Sequence, residues 1–350
     1  GLIGGSDVSY YKRYNFRVNS EHKMWNGLVT VGEHVGFVWK DTRGMGTGNI
    51  WNNNLRSAFS ASPIIPVYDA DGNYNSTVNS DWNVNDGNPY GNMMVNRYNN
   101  SKNGSLDANV YVQIEPIKNL RFKTVYGISY GASEYRAYTP KYQFTPQTAN
   151  TVSKVNQSHG HGLSMVWTNT LSYDFNIATE HHINALIGSE LSTYDGSNTE
   201  GSNTGLIPGF DDWDHAYLVN TNGTENKTVK GSPYDSTRGM SYFARLGWTW
   251  KERYMVNATM RADGSSKFAK GNRWGYFPSV SAGWTISEEK FMESVKSWFD
   301  FLKISALFKA TAINILLLCP PRIPIITLVP VEVKMPGLRV LIPAVRPMKK

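Results

Sequence analysis

The chain has 350 residues, 13% of them aromatic and 18% charged, with 31 Gly, 20 Tyr, 11 Trp and a single Cys; this is a strand-and-turn composition, and it excludes a disulfide framework or a cysteine-built metal site. The formal charge of +7 does not signal a nucleic-acid surface. Residues 306–350 hold Lys309, Arg322, Lys334, Arg339, Arg346, Lys349 and Lys350 against Glu332 alone, so the rest of the chain is nearly neutral and carries no basic stripe.

Period-two alternation predicts the elements in chain order. The first two strands are weak, at 13–20 and 27–39. In the second, Val29, Val31, Val35, Phe37 and Trp39 form an apolar face that Glu33 interrupts. A long connection, 40–105, follows. In 106–116 Leu106, Ala108, Val110, Val112 and Ile114 oppose Asp107, Asn109, Gln113 and Glu115. In 120–130 Leu120, Phe122, Tyr126, Ile128 and Tyr130 oppose Arg121, Lys123 and Ser129. After a second long connection, 132–163, the segments 164–175 and 183–191 alternate again, with Met165, Trp167, Leu171, Tyr173 and Phe175 on one face of the first. A third, 194–239, leads to 242–250, 254–262 and 274–286, where Tyr242, Leu246, Trp248, Trp250, Tyr254, Val256, Met260, Trp274, Tyr276, Val280 and Trp284 share the apolar parity. A turn at 264–272 joins the last two of these, a capped helical turn is expected at 287–298, and a weak strand at 299–306 ends the series.

Short connections at 20–26, 116–119, 176–180 and 251–253 fall on one side and long ones on the other, with two exceptions: the short turn 264–272 on the long side and the helical turn 287–298 on the short side. No apolar run approaches the roughly 18 residues of a transmembrane helix. Unequal turns, strands of about ten residues and aromatics at strand ends are instead the plan of an outer-membrane barrel. The fold expected is all-β: an antiparallel transmembrane β-barrel fragment of about ten strands. A soluble all-β carbohydrate-binding module or glycoside hydrolase would also alternate, but compact domains rarely carry several loops of this length.

Residues 306–350 differ in kind. They contain seven of the 16 prolines, one aromatic and no Asp. Proline removes ladder donors, so no central strand is expected there. The break predicts a segment translated out of frame from near Ser305, not a domain.

Residues 242–303 carry the motif Arg261-Ala-Asp263-Gly264-Ser-Ser-Lys-Phe268, followed by Arg273-Trp274-Gly275-Tyr-Phe-Pro278-Ser279-Val-Ser-Ala-Gly283-Trp284 and Ile286-Ser-Glu-Glu289. With Gly4-Gly-Ser-Asp7, Tyr14-Asn-Phe-Arg-Val-Asn19 and Pro66-Val-Tyr-Asp-Ala-Asp-Gly-Asn-Tyr74, this closely resembles the SusC/RagA family of TonB-linked outer-membrane transporters of Bacteroidetes-type bacteria. The resemblance covers residues 1–304. It implies a complete barrel of roughly 22 strands in the outer membrane of a Gram-negative cell. That barrel would import oligosaccharides, glycans or peptides with a SusD-like surface lipoprotein, and the TonB complex would displace a plug. The plug and TonB-contacting segment match no residues here, so none is assigned to energy coupling. The expected partners are the lipoprotein, TonB, outer-membrane lipid and the oligosaccharide or peptide, not nucleic acid.

Catalytic signatures are sparse: no G-x-S-x-G, P-loop or H-E-x-x-H occurs, and no enzyme, cofactor or metal is expected. Asp211, Asp212 and Asp214 around Trp213 could suggest glycoside hydrolysis, but a solvated loop is the stronger reading. His159 with His161, Asp69 with Asp71, and His181 with His182 read as hairpin and turn residues before they read as metal ligands. Substrate contact fits the loops better, since sugar rings stack on aromatics among amides and carboxylates. The candidates are Trp51, Trp82, Tyr90, Trp213 and Tyr217. Arg121, Lys123, Arg245, Asn257 and Arg261 would line the lumen if their apolar neighbours face lipid.

Overall fold

A computed structural model describes residues 5–44, 53–78, 87–295, 301–309, 325–335 and 338–342. Its main body is a twelve-stranded antiparallel sheet whose strands pair in chain order, and a separate two-stranded ribbon, Tyr142–Gln143 with Ala149–Asn150, lies in one connection. The strands are β1 (Tyr10–Met24), β2 (Val29–Arg43), β3 (Asn99–Ile117), β4 (Leu120–Thr139), β5 (Lys154–Ile177), β6 (His181–Thr204), β7 (Thr228–Trp250), β8 (Tyr254–Ser265), β9 (Trp274–Thr285), β10 (Phe301–Lys309), β11 (Ile325–Met335) and β12 (Leu338–Ile342). The first ten match the ten expected segments. Among the described residues no pairing joins β1 to β12, so the sheet is an open stretch of wall.

The long connections are shorter than their sequence bounds of 40–105, 132–163 and 194–239. They are 44–98, 140–153 and 205–227, because the strands that flank them run long: β3 and β4 for 19 and 20 residues, and β5, β6 and β7 for 24, 24 and 23. Roughly 9–11 residues cross a bilayer, so the excess projects beyond it as ribbon. There Gly, Ser, Thr and Asn occupy both faces, and the alternation that marks a strand in the sequence fades. In place of the expected capped helical turn stand two short 3-10 segments, Ile286–Glu288 and Lys290–Val295, and the Thr285 side chain does not cap the first.

The tail also departs from expectation. β11 is a central strand despite its proline. Pro330 falls inside the register irregularity between the Lys303–Glu332 and Ser305–Val329 pairs of β10 and β11, where a missing N–H costs the ladder least.

The short turns bend tightly through left-handed backbone at Trp25, Asn26, Asn119, Ala178, Lys251 and Glu252 (φ 50–67°). These turns are staggered. The Trp250–Tyr254 level of the β7–β8 turn continues through His181 and Ile177, and the β1–β2 turn at Met24–Val29 lies six residues further along the same registers. Six residues over six strands is about one per strand, which corresponds to a strand tilt of about 35°.

Pairing partners share a face, so the registers sort the side chains. One face carries rows such as Phe16–Phe37–Leu106–Tyr130 and Ile114–Phe122–Leu171–Ile187–Ala244–Met260. Phe16, Leu106, Ile187, Leu246, Tyr276 and Val280 stand exposed there, as a lipid-facing surface requires. Stacked rings bound it. At the short-turn end His181, Trp250, Tyr254 and Trp284 follow one another at centroid spacings of 5.9, 5.4 and 6.3 Å. At the other end Tyr242 stacks on Trp274 at 6.1 Å. Trp274 pairs with Gly264, ten residues along β8 from Tyr254. At the inferred tilt the two girdles stand about 27 Å apart, close to the apolar band of a barrel wall. Glu33 shares this face with Val110, Tyr126 and Trp167, and Ser20 hydrogen-bonds to its carboxylate.

Candidate functional site

The opposite face gathers the polar residues. Arg121 and Arg245 lie in one row, Arg121–Ser172–Leu186–Arg245–Thr259. Lys123 and Arg261 lie in another, Lys123–Thr170–Gly188–Phe243–Arg261. Asn257 follows in the row Asp174–Asn184–Gly247–Asn257. All five predicted lumen residues therefore share one face, and alternation puts them there.

Their partners come from the same face. The Arg121 guanidinium meets Glu115 at 3.3 Å and Asp174 at 3.5 Å, and Asn184 donates to Asp174 at 3.1 Å. Arg261 meets Asp263 at 2.7 Å and Glu190 at 3.4 Å, and donates to the Ser241 hydroxyl at 3.2 Å. Lys123 Nζ stands 4.0 Å above the Tyr111 ring, whose hydroxyl donates to Glu21 at 2.6 Å. Arg245 is exposed and forms no ion pair among the described residues. Sequence reasoning put Glu115 and Asp174 on the polar side of their strands but did not name them, or Glu190, as partners of the lumen candidates. Their parity, opposite to Ile114, Tyr173 and Leu191, was the available signal.

The long connections build a cluster beyond the apolar band. Tyr68 stacks on Tyr74 at 5.7 Å, and Tyr90 meets both edge-on at 6.2 and 6.0 Å. Trp213 stacks on Tyr98 at 6.2 Å. The Arg136 guanidinium lies 3.9 Å from the Trp213 ring and 4.2 Å from Tyr217, with Arg43 5.4 Å from Trp213. Beneath them Tyr138, Val155, Leu206 and Ala216 are buried together. A cavity of about 900 Å³ opens between Tyr74, Tyr98, Phe144, Asp211 and Trp213. Trp51 and Trp82 lie outside the described residues.

Register places the 205–227 loop on a definite side. Tyr138 pairs with Val155 and Val155 with Asn203, and these three share parity with the lipid-facing rows. Trp213 and Tyr217 thus pack on the outward side of the projecting ribbons, away from the polar wall. The carboxylates here serve the loop. Tyr138 donates to Asp211 at 3.1 Å. Asp212 accepts from the backbone N–H groups of Asp214 and His215 at 2.8 and 3.0 Å and from the His215 ring at 2.7 Å, and this bond to His215 above all holds it below the usual carboxylate range. Asp69 likewise accepts from the N–H groups of Asp71 and Asn73, a turn role.

Each part of the 261–289 motif finds a structural place. Gly264 lies against the Trp274 indole, where a Cβ would come within 3.1 Å. The Arg273 side chain donates to the Phe268 carbonyl at 3.3 Å and closes the turn. Pro278 faces Met260, Ser279 faces Thr259 and Gly275 faces Asp263. A Cβ on Gly283 would meet the Lys303 side chain at 3.2 Å.

Comparison with known proteins adds the relatives. No family model matches the chain. TonB-dependent receptor P26 of Formosa agariphila is 27% identical over 322 residues, 88% of this chain and 29% of its own length. TonB-dependent receptor SusC of Bacteroides thetaiotaomicron is 51% identical over 61 residues, 17% of this chain and 6% of its own. The RagAB peptide importer in its open-open state superposes with a TM-score of 0.70 at 18% identity, over 92% of this chain and 36% of that one. The chain therefore spans under a third of the length of these curated relatives. With its registers, its two aromatic girdles and these likenesses, the chain is similar to TonB-dependent receptors of the SusC and RagAB kind, and its sheet has the fold of a stretch of their barrel wall.

Proposed function

We propose that this wall belongs to an outer-membrane importer of oligosaccharides, glycans or peptides. It would be driven through TonB, work with a SusD-like surface lipoprotein, and have no catalytic step of its own. The observation that carries the reading is the partition of side chains. One face is apolar between two aromatic girdles. The other carries Arg121, Lys123, Arg245, Asn257 and Arg261 with their carboxylates, so the strands can stand in lipid and still present charge to a wet interior. The names of the relatives support it: receptors by designation, and a peptide importer by structure.

In this reading Arg245 faces the space that a plug or cargo fills, and Arg121 and Arg261 are held ready by their acids. Tyr90 and the cavity beside Tyr74 and Tyr98 are the loop surface offered to cargo or lipoprotein. Trp213 and Tyr217 brace that surface from outside. Residues 1–305 form the wall, and residues 306–350 are an out-of-frame read of it.

The test is uptake by the full-length receptor in a strain that depends on it. Arg245→Glu is expected to lower uptake about tenfold with unchanged surface display, since reversing a charge that faces a complementary surface sets like charges against each other. Unchanged uptake with reversed charge at Arg245, Lys123 and Arg261 together would defeat the proposal.

A further inference from the structure

At the outer end of β7, β8 and β9 the lipid-facing surface is hollowed. Leu191, Met240, Gly264 and Trp274 share one row. Gly264 places no side chain of its own between these ridges, and a groove of about 400 Å³ results. It sits at the level of the upper aromatic girdle, where hydrocarbon gives way to headgroups.

Cations crown the groove. Arg238 stands on the outward face two residues beyond Met240, exposed and 3.0 Å from Asp195. The turn from β8 to β9 adds Lys267, Lys270 and Arg273, all exposed, and no acidic residue occurs between Gly264 and Arg273. Among the described residues these three form no ion pair. Two backbone contacts fix the turn beside Arg238: Ser266 N–H donates to the Arg238 carbonyl at 2.9 Å, and Arg238 N–H donates to Ser266 Oγ at 2.8 Å. Arg238 and Arg273 line the apolar slot itself, and Lys267 and Lys270 are exposed in the turn that joins its walls.

We propose that this surface seats a phosphate-bearing lipid of the outer leaflet, with an acyl chain along Leu191, Met240 and Trp274 and the phosphate among Arg238, Lys267, Lys270 and Arg273. A guanidinium fork suits phosphate oxygens, and each basic side chain near a membrane surface adds about 1 kcal/mol of attraction for anionic lipid, or roughly fivefold in affinity. The inference rests on which face meets lipid and is independent of what the barrel imports.

The experiment is native mass spectrometry of the full-length receptor in detergent, loaded with phosphatidic acid or with phosphatidylcholine of equal chain length. Wild type is expected to retain phosphatidic acid preferentially, and millimolar inorganic phosphate is expected not to displace it. Retention should fall roughly a hundredfold in the Arg238→Gln, Lys267→Gln, Arg273→Gln triple variant, with weak phosphatidylcholine retention unchanged. Lys267→Gln alone, in an exposed turn, should lose about fivefold and serves if the triple variant fails to fold by its heat-shifted gel mobility. Equal retention of the two lipids by wild type, undiminished retention in both variants, or full displacement by inorganic phosphate would each overturn the proposal.

Discussion

The Tyr254 hydroxyl donates a 2.6 Å hydrogen bond to Oε1 of Glu289, and the Trp284 indole donates to the same oxygen at 3.1 Å. One carboxylate on the short-turn side thereby ties two girdle rings of β8 and β9 to the segment that follows them, with Arg253 at 3.4 Å as counter-charge.

Those bonds hold the Glu289 carboxyl below the ordinary glutamate value, the Tyr254 hydroxyl contributing most, then Trp284 and Arg253. A lowered folded-state pKa gives stability that is fully present above the unfolded value of about 4.5 and is lost as pH falls through the folded one. Glu289→Gln should therefore lower the melting temperature of the detergent-solubilised receptor at pH 7. The gap from wild type should narrow as pH falls from 4.5 through the lowered folded-state value. A gap that stays constant throughout that fall would mean that Glu289 acts through shape, not charge.

Gly188 is the second pressure point. A Cβ there would meet Cε2 and Cζ of Phe243 at 2.4 Å and the Asn169 carbonyl at 2.9 Å. Phe243 covers the bare backbone of its cross-strand partner, and nothing larger fits under it. Gly188→Ala should cost about 1–3 kcal/mol in urea unfolding. Removing the ring as well, by Phe243→Ala, should return only part of this, because the carbonyl contact remains.

Glu33 is the charged exception on the lipid face, four residues from the β1–β2 turn. A carboxylate at that depth is a cost the wall bears, softened by Ser20. Glu33→Leu should raise stability by about 1 kcal/mol. A loss of stability, or impaired insertion in an outer-membrane assembly assay, would instead make Glu33 a built feature of the wall.

The tail makes a prediction about DNA. If residues 306–350 are read out of frame from near Ser305, a neighbouring frame downstream of the Ile304 codon will encode alternating strands with aromatic ends. Resequencing the parent locus decides this. An uninterrupted native frame through Lys350 would make β11 and β12 part of the genuine wall.

Alternation alone located all ten strands before the tail and the face of Arg121, Lys123, Arg245, Asn257 and Arg261, because a period of two is fixed by backbone geometry. It could not locate where β5 and β6 end. Beyond Leu191 and before Leu163 the ribbon leaves the bilayer, and residues such as Gly160, Ser197 and Asn198 need no apolar side. Nor could it place Trp213. A loop residue has no parity, and only the contacts with Arg136 and Tyr98 show it to be outward. Pro330 misled for another reason: the rule against proline in a ladder holds position by position, and an irregularity suspends it.

The stagger of the turns gives the cationic side chains an arrangement that their rows conceal. Counted from the short-turn end of its own strand, Arg261 lies seven residues up, Arg245 five, Lys123 three and Arg121 one. Positive charge on the polar face therefore descends toward the short turns as it passes from β8 through β7 to β4, a diagonal ramp rather than a level belt.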